Sequence, residues 1–282
     1  MKYIPIGGKE LNLGVENGPD EVLTQAFTKE LGGSHIIEYN FSLPEEIPDD
    51  KYYLSMANEI NELSQRIQKE FNNKGSNFII NIGGDHSIAS SSLLSVLQMK
   101  NGENIGVIMF DSHGDLHLKR TSPTGNYHGM WLRPFWDVYD DTEIQNTINL
   151  SLKRDQLLFV GNLLLEEEEE NFLSKNEIPI FSSGKFNNDI KNDSYSKLLD
   201  FCQKHDYIHV SFDIDVFKTD LVSATGTPNP DGFDRKMIFD IIDVLNKSGK
   251  IISLDLVEVN PKKCGAKETI TLAQEVLKAF LV

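Results

Sequence analysis

Val107-Ile-Met-Phe-Asp-Ser-His-Gly-Asp-Leu-His117 is the stretch on which the reading of this 282-residue chain turns. Four apolar residues, 107–110, predict a parallel strand buried on both faces, because the alternation of a half-exposed strand is missing. At its carboxyl end the polarity flips at once. Asp111, His113 and Asp115 fall at i, i+2 and i+4, so a strand continuing through them would point all three the same way. Two carboxylates around an imidazole form a hard oxygen/nitrogen donor set suited to Mn²⁺ or Zn²⁺. Taken alone, a solvated acidic loop explains them equally well.

Working outward, the same pattern recurs. An apolar strand over 78–82 ends in Gly83-Gly-Asp-His-Ser87, one over 207–212 in Asp213-Ile-Asp215, and one over 251–256 in Glu258-Val-Asn-Pro261. Further strands are expected over 2–6, 34–41, 157–160 and 178–181. Helical spacing is expected over 20–31, with Pro19 in its first turn, and over 54–71, 194–204, 234–246 and 268–281, with another helix through Leu94 and Leu97. The run Glu166–Glu170 reads as a solvated helix start favoured by the helix dipole. About eight strands alternating with helices predict one α/β domain over 1–282, a largely parallel sheet covered on both faces. Ligands bind such sheets outside the carboxyl ends of the strands, where all four polar clusters fall.

Bulk properties narrow the function. A net charge of −16 argues against nucleic acid or an anionic membrane as partner. Cys202 and Cys264 have no paired spacing, which argues against a disulfide framework or a thiolate metal site. The start lacks the apolar core of a signal peptide and no apolar run is long enough to span a bilayer, so a cytoplasmic location is expected.

Pooled, the strand ends supply His86, Asp111, His113, Asp115, Asp213 and Asp215. Four carboxylates and two imidazoles exceed what one catalytic zinc uses, usually three protein ligands. They suit two divalent ions sharing carboxylates and a water acidic enough to ionise near neutrality. Two cations would also offset four negative charges that could not otherwise sit together cheaply.

Gly83-Gly-Asp-His-Ser87, Asp111-Ser-His-Gly-Asp115 and Ser211-Phe-Asp-Ile-Asp215 resemble the three metal motifs of the arginase/agmatinase (ureohydrolase) family. The resemblance extends to Gly14–Pro19, Thr225-Gly-Thr-Pro228 and Asp255-Leu-Val-Glu-Val-Asn-Pro261, in the family's order along nearly the whole chain. It implies a three-layer α/β fold, two Mn²⁺ per chain, hydrolysis of a guanidino or amidino C–N bond, and a homo-oligomer, trimer or hexamer. By position, His86, Asp111, Asp115 and Asp213 would hold one ion; Asp111, His113, Asp213 and Asp215 would hold the other. Glu258 would bind the guanidinium, His128 would shuttle a proton, and Thr227 would line the pocket. Ser122, Thr124 and Asn126 would read a substrate carboxylate, and Asp85 would orient its neighbours. The loop Thr124-Gly-Asn-Tyr-His-Gly-Met130 is closest to the arginase branch.

Departures bear on substrate. Lys218 and Thr219 replace the usual Asp-Pro, and Ser112 the usual alanine. His35, His117, His205 and His209 read as structural or solvent histidines, although His117 stands where arginases place a substrate-reading asparagine. Gly161-Asn-Leu-Leu-Leu165 replaces an Arg-Asp-x-Asp segment whose aspartate reads the α-amino group; after a small register shift, Glu166 or Glu167 could substitute. Arginine therefore leads, with agmatine, guanidino acids and N-formimidoyl-L-glutamate behind it. A binuclear phosphoesterase leaves the 213/215 pair unexplained, a one-zinc deacetylase leaves three ligands idle, and a non-catalytic arginase-like binding protein would have shed ligands.

Overall fold

The computed structural model describes residues 13–31, 39, 51–74, 78–136, 138–187 and 193–281. Among them, six parallel strands form one sheet: β1 Ile79–Ile82, β2 Ile105–Phe110, β3 Leu157–Val160, β4 Ile180–Phe181, β5 Tyr207–Asp213 and β6 Ile251–Val257. Their order is β1-β6-β5-β2-β3-β4. Ile105–Phe110 is buried at every position, the expected consequence of a central parallel strand covered on both faces. Register aligns the site: Phe110 lies beside Phe212, and Asp213 beside Val257.

The helices are α1 Gly18–Val22, α2 Gln25–Glu30, α3 Tyr52–Lys74, α4 Ile88–Met99, α5 Thr142–Thr147, α6 Glu167–Asn176, α7 Ser183–Asn187, α8 Asp193–Lys204, α9 Arg235–Asn246 and α10 Ala266–Phe280. Strand periodicity sorts the core into two layers. Ile108, Phe110, Val210, Phe212, Leu254 and Leu256 pack with side chains of α8, α9 and α10. Val107, Met109, Leu157 and Phe159 face the other way, onto α3, α4 and the 127–135 segment. The molecule is therefore a three-layer α/β structure, as expected.

Several boundaries differ from the sequence expectation, each for a local reason. The helix expected over 20–31 is two helices, because Leu23 leaves the helical region and Thr24 caps α2, its Oγ1 accepting from Phe27 N. Strand β2 stops at Phe110 rather than running on through Asp115, whose φ is +52°. The three polar side chains of that segment are thus brought to one side by a turn and not by pleating. Gly161, just past β3, admits the neighbouring chain, since a Cβ there would collide with the Asp111 carbonyl oxygen. The expected strands over 2–6 and 34–41, and His35, lie outside the described residues.

Candidate metal centre

Four strand ends converge. The His86 ring, between β1 and α4, is 1% exposed at residue level, and its Nε2 lies 2.9 Å from the Ser211 hydroxyl of β5. With Nε2 so engaged, Nδ1 is the atom turned toward the carboxylates. It sits 3.1 Å from Asp111 Oδ2, 3.1 Å from Asp115 Oδ2 and 3.3 Å from Asp213 Oδ2. His113 Nδ1 lies 3.5 Å from Asp111 Oδ1 and 3.1 Å from Asp215 Oδ2. Donor atoms of His86, Asp111 and Asp213 fall within 4.8 Å of one another, as do those of Asp111, His113 and Asp215. Asp111 belongs to both groups, one oxygen facing each imidazole.

Main-chain donors aim the carboxylates. Asp213 Oδ1 accepts from Asp215 N at 2.8 Å, Asp215 Oδ1 from Ser112 N at 3.0 Å, and Asp111 Oδ1 from His113 N at 2.7 Å. In Asp213 and Asp215 the other oxygen, Oδ2, is the one that meets an imidazole, whereas Asp111 offers Oδ2 to His86 and Oδ1 to His113.

The donor set fits two hard divalent cations on this geometry. His86 Nδ1 and Asp111 Oδ2 are buried and make no hydrogen bond of acceptable geometry, although each is surrounded by polar atoms. Such orphaned groups cost about 1–3 kcal/mol each unless something else pairs with them. Charge balance points the same way. Burial and the charges of Asp215 and Asp111 push the Asp213 carboxyl well above its ordinary range. Burial opposes charging His113, yet Asp215 and Asp111 outweigh it and push the imidazole up to about 12. Without cations, the cluster must recruit protons to hold its charge.

Beside the cluster stands Glu258, whose φ of +66° is rare for a residue with a side chain. The turn is fixed at both ends: Glu258 N donates to Gly84 O at 2.8 Å, and Oε1 accepts from His86 N at 3.0 Å. Burial, with Asp85 and Asp215 nearby, pushes its carboxyl up to about 7 against the opposing pull of His128. The His128 side chain is 36% exposed, and its Nδ1 lies 3.7 Å from Asp85 Oδ2. Burial disfavours its charge, but Asp85 and Glu258 outweigh that and push the imidazole up to about 9. Asp85 is itself held by Ser87, whose N and Oγ donate to Oδ1 at 3.1 and 2.5 Å.

The remaining expected residues lie in loops. Ser122 Oγ accepts from Gly125 N and Thr124 Oγ1 from Asn126 N, so both hydroxyls brace the loop carrying Asn126 and His128. Thr227 is exposed, in the turn whose Thr225 and Gly226 carbonyls accept from Lys263 Nζ. Lys218, in place of the usual aspartate, pairs with Asp234 and leaves the ligand turn intact. His209 and His205 are structural, His209 Nε2 lying 3.2 Å from buried Asp255 and His205 Nδ1 2.7 Å from Phe201 O. The glutamate run is not uniformly solvated: Glu169 is 4% exposed, its carboxylate accepting from Leu116 N and Glu166 N. Neither Glu169 nor Arg133, which donates to Leu116 O, carried a sequence signal; one hides among five glutamates and the other stands alone.

Fold and site together define a parallel three-layer α/β protein with paired carboxylate–imidazole clusters, suited to holding metal ions, at its strand ends. The chain belongs to the Arginase family, whose model matches residues 4–282. It is 34% identical to the arginase of Plasmodium falciparum over 66% of this chain and 46% of that protein. This chain thus spans about half the length of that relative. It is 28% identical to the arginase of Entamoeba histolytica over 99% of this chain and 96% of the other. The crystal structure of Bacillus subtilis arginase superposes with a TM-score of 0.82 at 24% identity, covering 96% of this chain and 94% of that one.

Proposed function

We propose that the chain is a two-manganese ureohydrolase that cleaves the guanidinium C–N bond of L-arginine or a close guanidino relative to urea and an amine. The observation that carries this is the pair of overlapping donor groups sharing Asp111, with the Glu258 carboxylate hydrogen-bonded to the backbone of one ligand, His86. His86, Asp111, Asp115 and Asp213 would hold one Mn²⁺, and Asp111, His113, Asp213 and Asp215 the other. Bound there, the two ions supply a water ionised near neutral pH. Glu258 orients the planar guanidinium through charge-assisted hydrogen bonds. His128, protonated at neutral pH with its Nδ1 paired at 3.7 Å to Asp85 Oδ2, hands a proton to the leaving amine from Nε2.

Substrate choice falls to the rim. Glu166 Oε2 lies 3.7 Å from His117 Nε2, two residues beyond Asp115, and the Glu166 side chain is 58% exposed. That leaves its carboxylate room for the substrate α-ammonium group, and supports Glu166 over Glu167 as the reader. Ser122, Thr124, Asn126 and Thr227 complete the rim, with the loop carrying Asn126 facing the substrate carboxylate. A screen for urea and ammonia release by the Mn²⁺-loaded protein against arginine, agmatine, guanidino acids and N-formimidoyl-L-glutamate tests this. Urea from arginine above all others is expected; ammonia release from the formimidoyl compound alone would overturn the substrate assignment.

A further inference from the structure

Asp115 is held in an unfavourable backbone conformation, and the peptide that follows it is gripped from two directions. A left-handed φ costs a residue with a side chain about 1–3 kcal/mol and persists only where its surroundings over-determine it. Here all four main-chain polar groups from the Asp115 carbonyl to the His117 amide are engaged. Asp115 O accepts from Leu132 N at 3.3 Å, and His117 N donates to Gly129 O at 3.3 Å. Leu116 N donates to Glu169 Oε1 at 3.1 Å, and Leu116 O accepts from Arg133 Nη1 at 3.0 Å.

The two side chains of this grip are anchored to one helix. Glu169 lies in the first turn of α6. The Arg133 guanidinium lies 4.1 Å from the centroid of the α6 residue Phe172 and 3.4 Å from Glu168 Oε1. Arg133 is 6% exposed, so its charge is placed where it is expensive unless it is used. Gly114 makes the approach possible, since a Cβ there would come within 2.7 Å of Glu169 Oε1.

We propose that Arg133 and Glu169 are positioning residues that lock the Leu116 peptide to α6, and thereby hold the Asp115 carboxylate on the metal group that contains His86. Freed of the clamp, Asp115 relaxes toward ordinary φ and its Oδ2 swings away from His86 Nδ1. The group formed by Asp111, His113 and Asp215 is held by bonds that do not run through the Leu116 peptide, from His113 N to Asp111 Oδ1 and from Ser112 N to Asp215 Oδ1. The clamp therefore acts on one site of the pair. The inference rests on the two-metal reading above.

Its test is a two-site Mn²⁺ titration of metal-free protein, following free Mn²⁺ by electron paramagnetic resonance, on wild type, Arg133→Met and Arg133→Gln. Met keeps the apolar stem over Phe172 but removes the donors, and Gln keeps a shorter neutral donor. The expected result is two Mn²⁺ bound by wild type and a loss of about 10- to 100-fold in affinity at one site in Arg133→Met, the range for removing a partner that orients a ligand. Arg133→Gln should show a smaller loss at the same site. The ratio of the two dissociation constants is the quantity that decides, because a general loss of stability lowers both affinities together. Should Arg133→Met not fold, the ratio in Arg133→Gln decides alone. An unchanged ratio, even with a lowered Tm, overturns the clamp while leaving the two-metal reading standing. A wild-type chain that binds no Mn²⁺ overturns both.

Discussion

At the scale of single residues, Glu258 and His128 are the side chains whose protonation would set the chemistry of the proposed reaction. Glu258→Gln preserves shape and removes charge, so kcat/KM for a guanidino substrate should collapse while metal content stays at the wild-type value. A variant with wild-type kcat/KM would remove Glu258 from guanidinium binding. The sign of the pH effect follows from a carboxyl pushed up to about 7. Its ionised share rises from about one tenth at pH 6 to about nine tenths at pH 8. A guanidinium compound should therefore bind the metal-free protein more tightly as pH rises through 7, and the trend should vanish in Glu258→Gln. His128→Asn should lower kcat by roughly 10²–10⁴-fold, the range for a general acid–base residue, with metal content unchanged. The candidate ligand residues were legible in the sequence because they follow apolar strands at fixed short spacings. The partners that orient them were not: Arg133 is an isolated basic residue whose role arises only when Leu116 and α6 meet.

At the scale of elements, the site is a product of strand ends and the turns that leave them. Strands β2, β5 and β6 were legible from their apolar runs, since both faces are buried. The break between α1 and α2 was not, because the apolar spacing continues across it and only the Thr24 side chain's capping bond marks the restart. The i, i+2, i+4 pattern of Asp111, His113 and Asp115 picked out side chains that the structure brings together, but by a turn and not by pleating, as the strand has already ended. These turns leave little room. Gly161→Ala would drive a methyl into the Asp111 carbonyl and should destabilise the fold by about 1–3 kcal/mol, as overpacking does. A chemical denaturation midpoint would read this. A stability equal to wild type would show that the β3 exit can shift away from β2.

For the molecule as a whole, the metal-free state carries a pH signature. Glu258, Asp213 and Asp215 are carboxyls raised above their ordinary range, and His86, His113 and His128 are imidazoles raised above theirs. All six bind protons more tightly folded than unfolded, so folding takes up protons and stability falls as pH rises. For Glu258 the loss runs from the ordinary carboxyl range to about 7; for His128 it runs from about 6.5 to about 9. The Tm of metal-free protein should therefore drop between pH 5 and 9. Mn²⁺ should restore more of it at pH 8 than at pH 6, because each ion displaces protons to bind. A metal-free Tm that rises across this window would contradict the charge balance assigned to the cluster. Chain-wide, the family motifs made the three-layer fold legible, while the 161–170 segment departs from the family pattern, and the surroundings of Glu166 and Glu169 emerge only from the packing of α6. The central claim is two ions acting together on a guanidinium. The measurement that tests it most directly is a titration of metal-free protein with Mn²⁺ while urea release from L-arginine is followed. The account predicts no activity without metal and a plateau at two equivalents per chain; a plateau at one, or full activity in excess chelator, would contradict it.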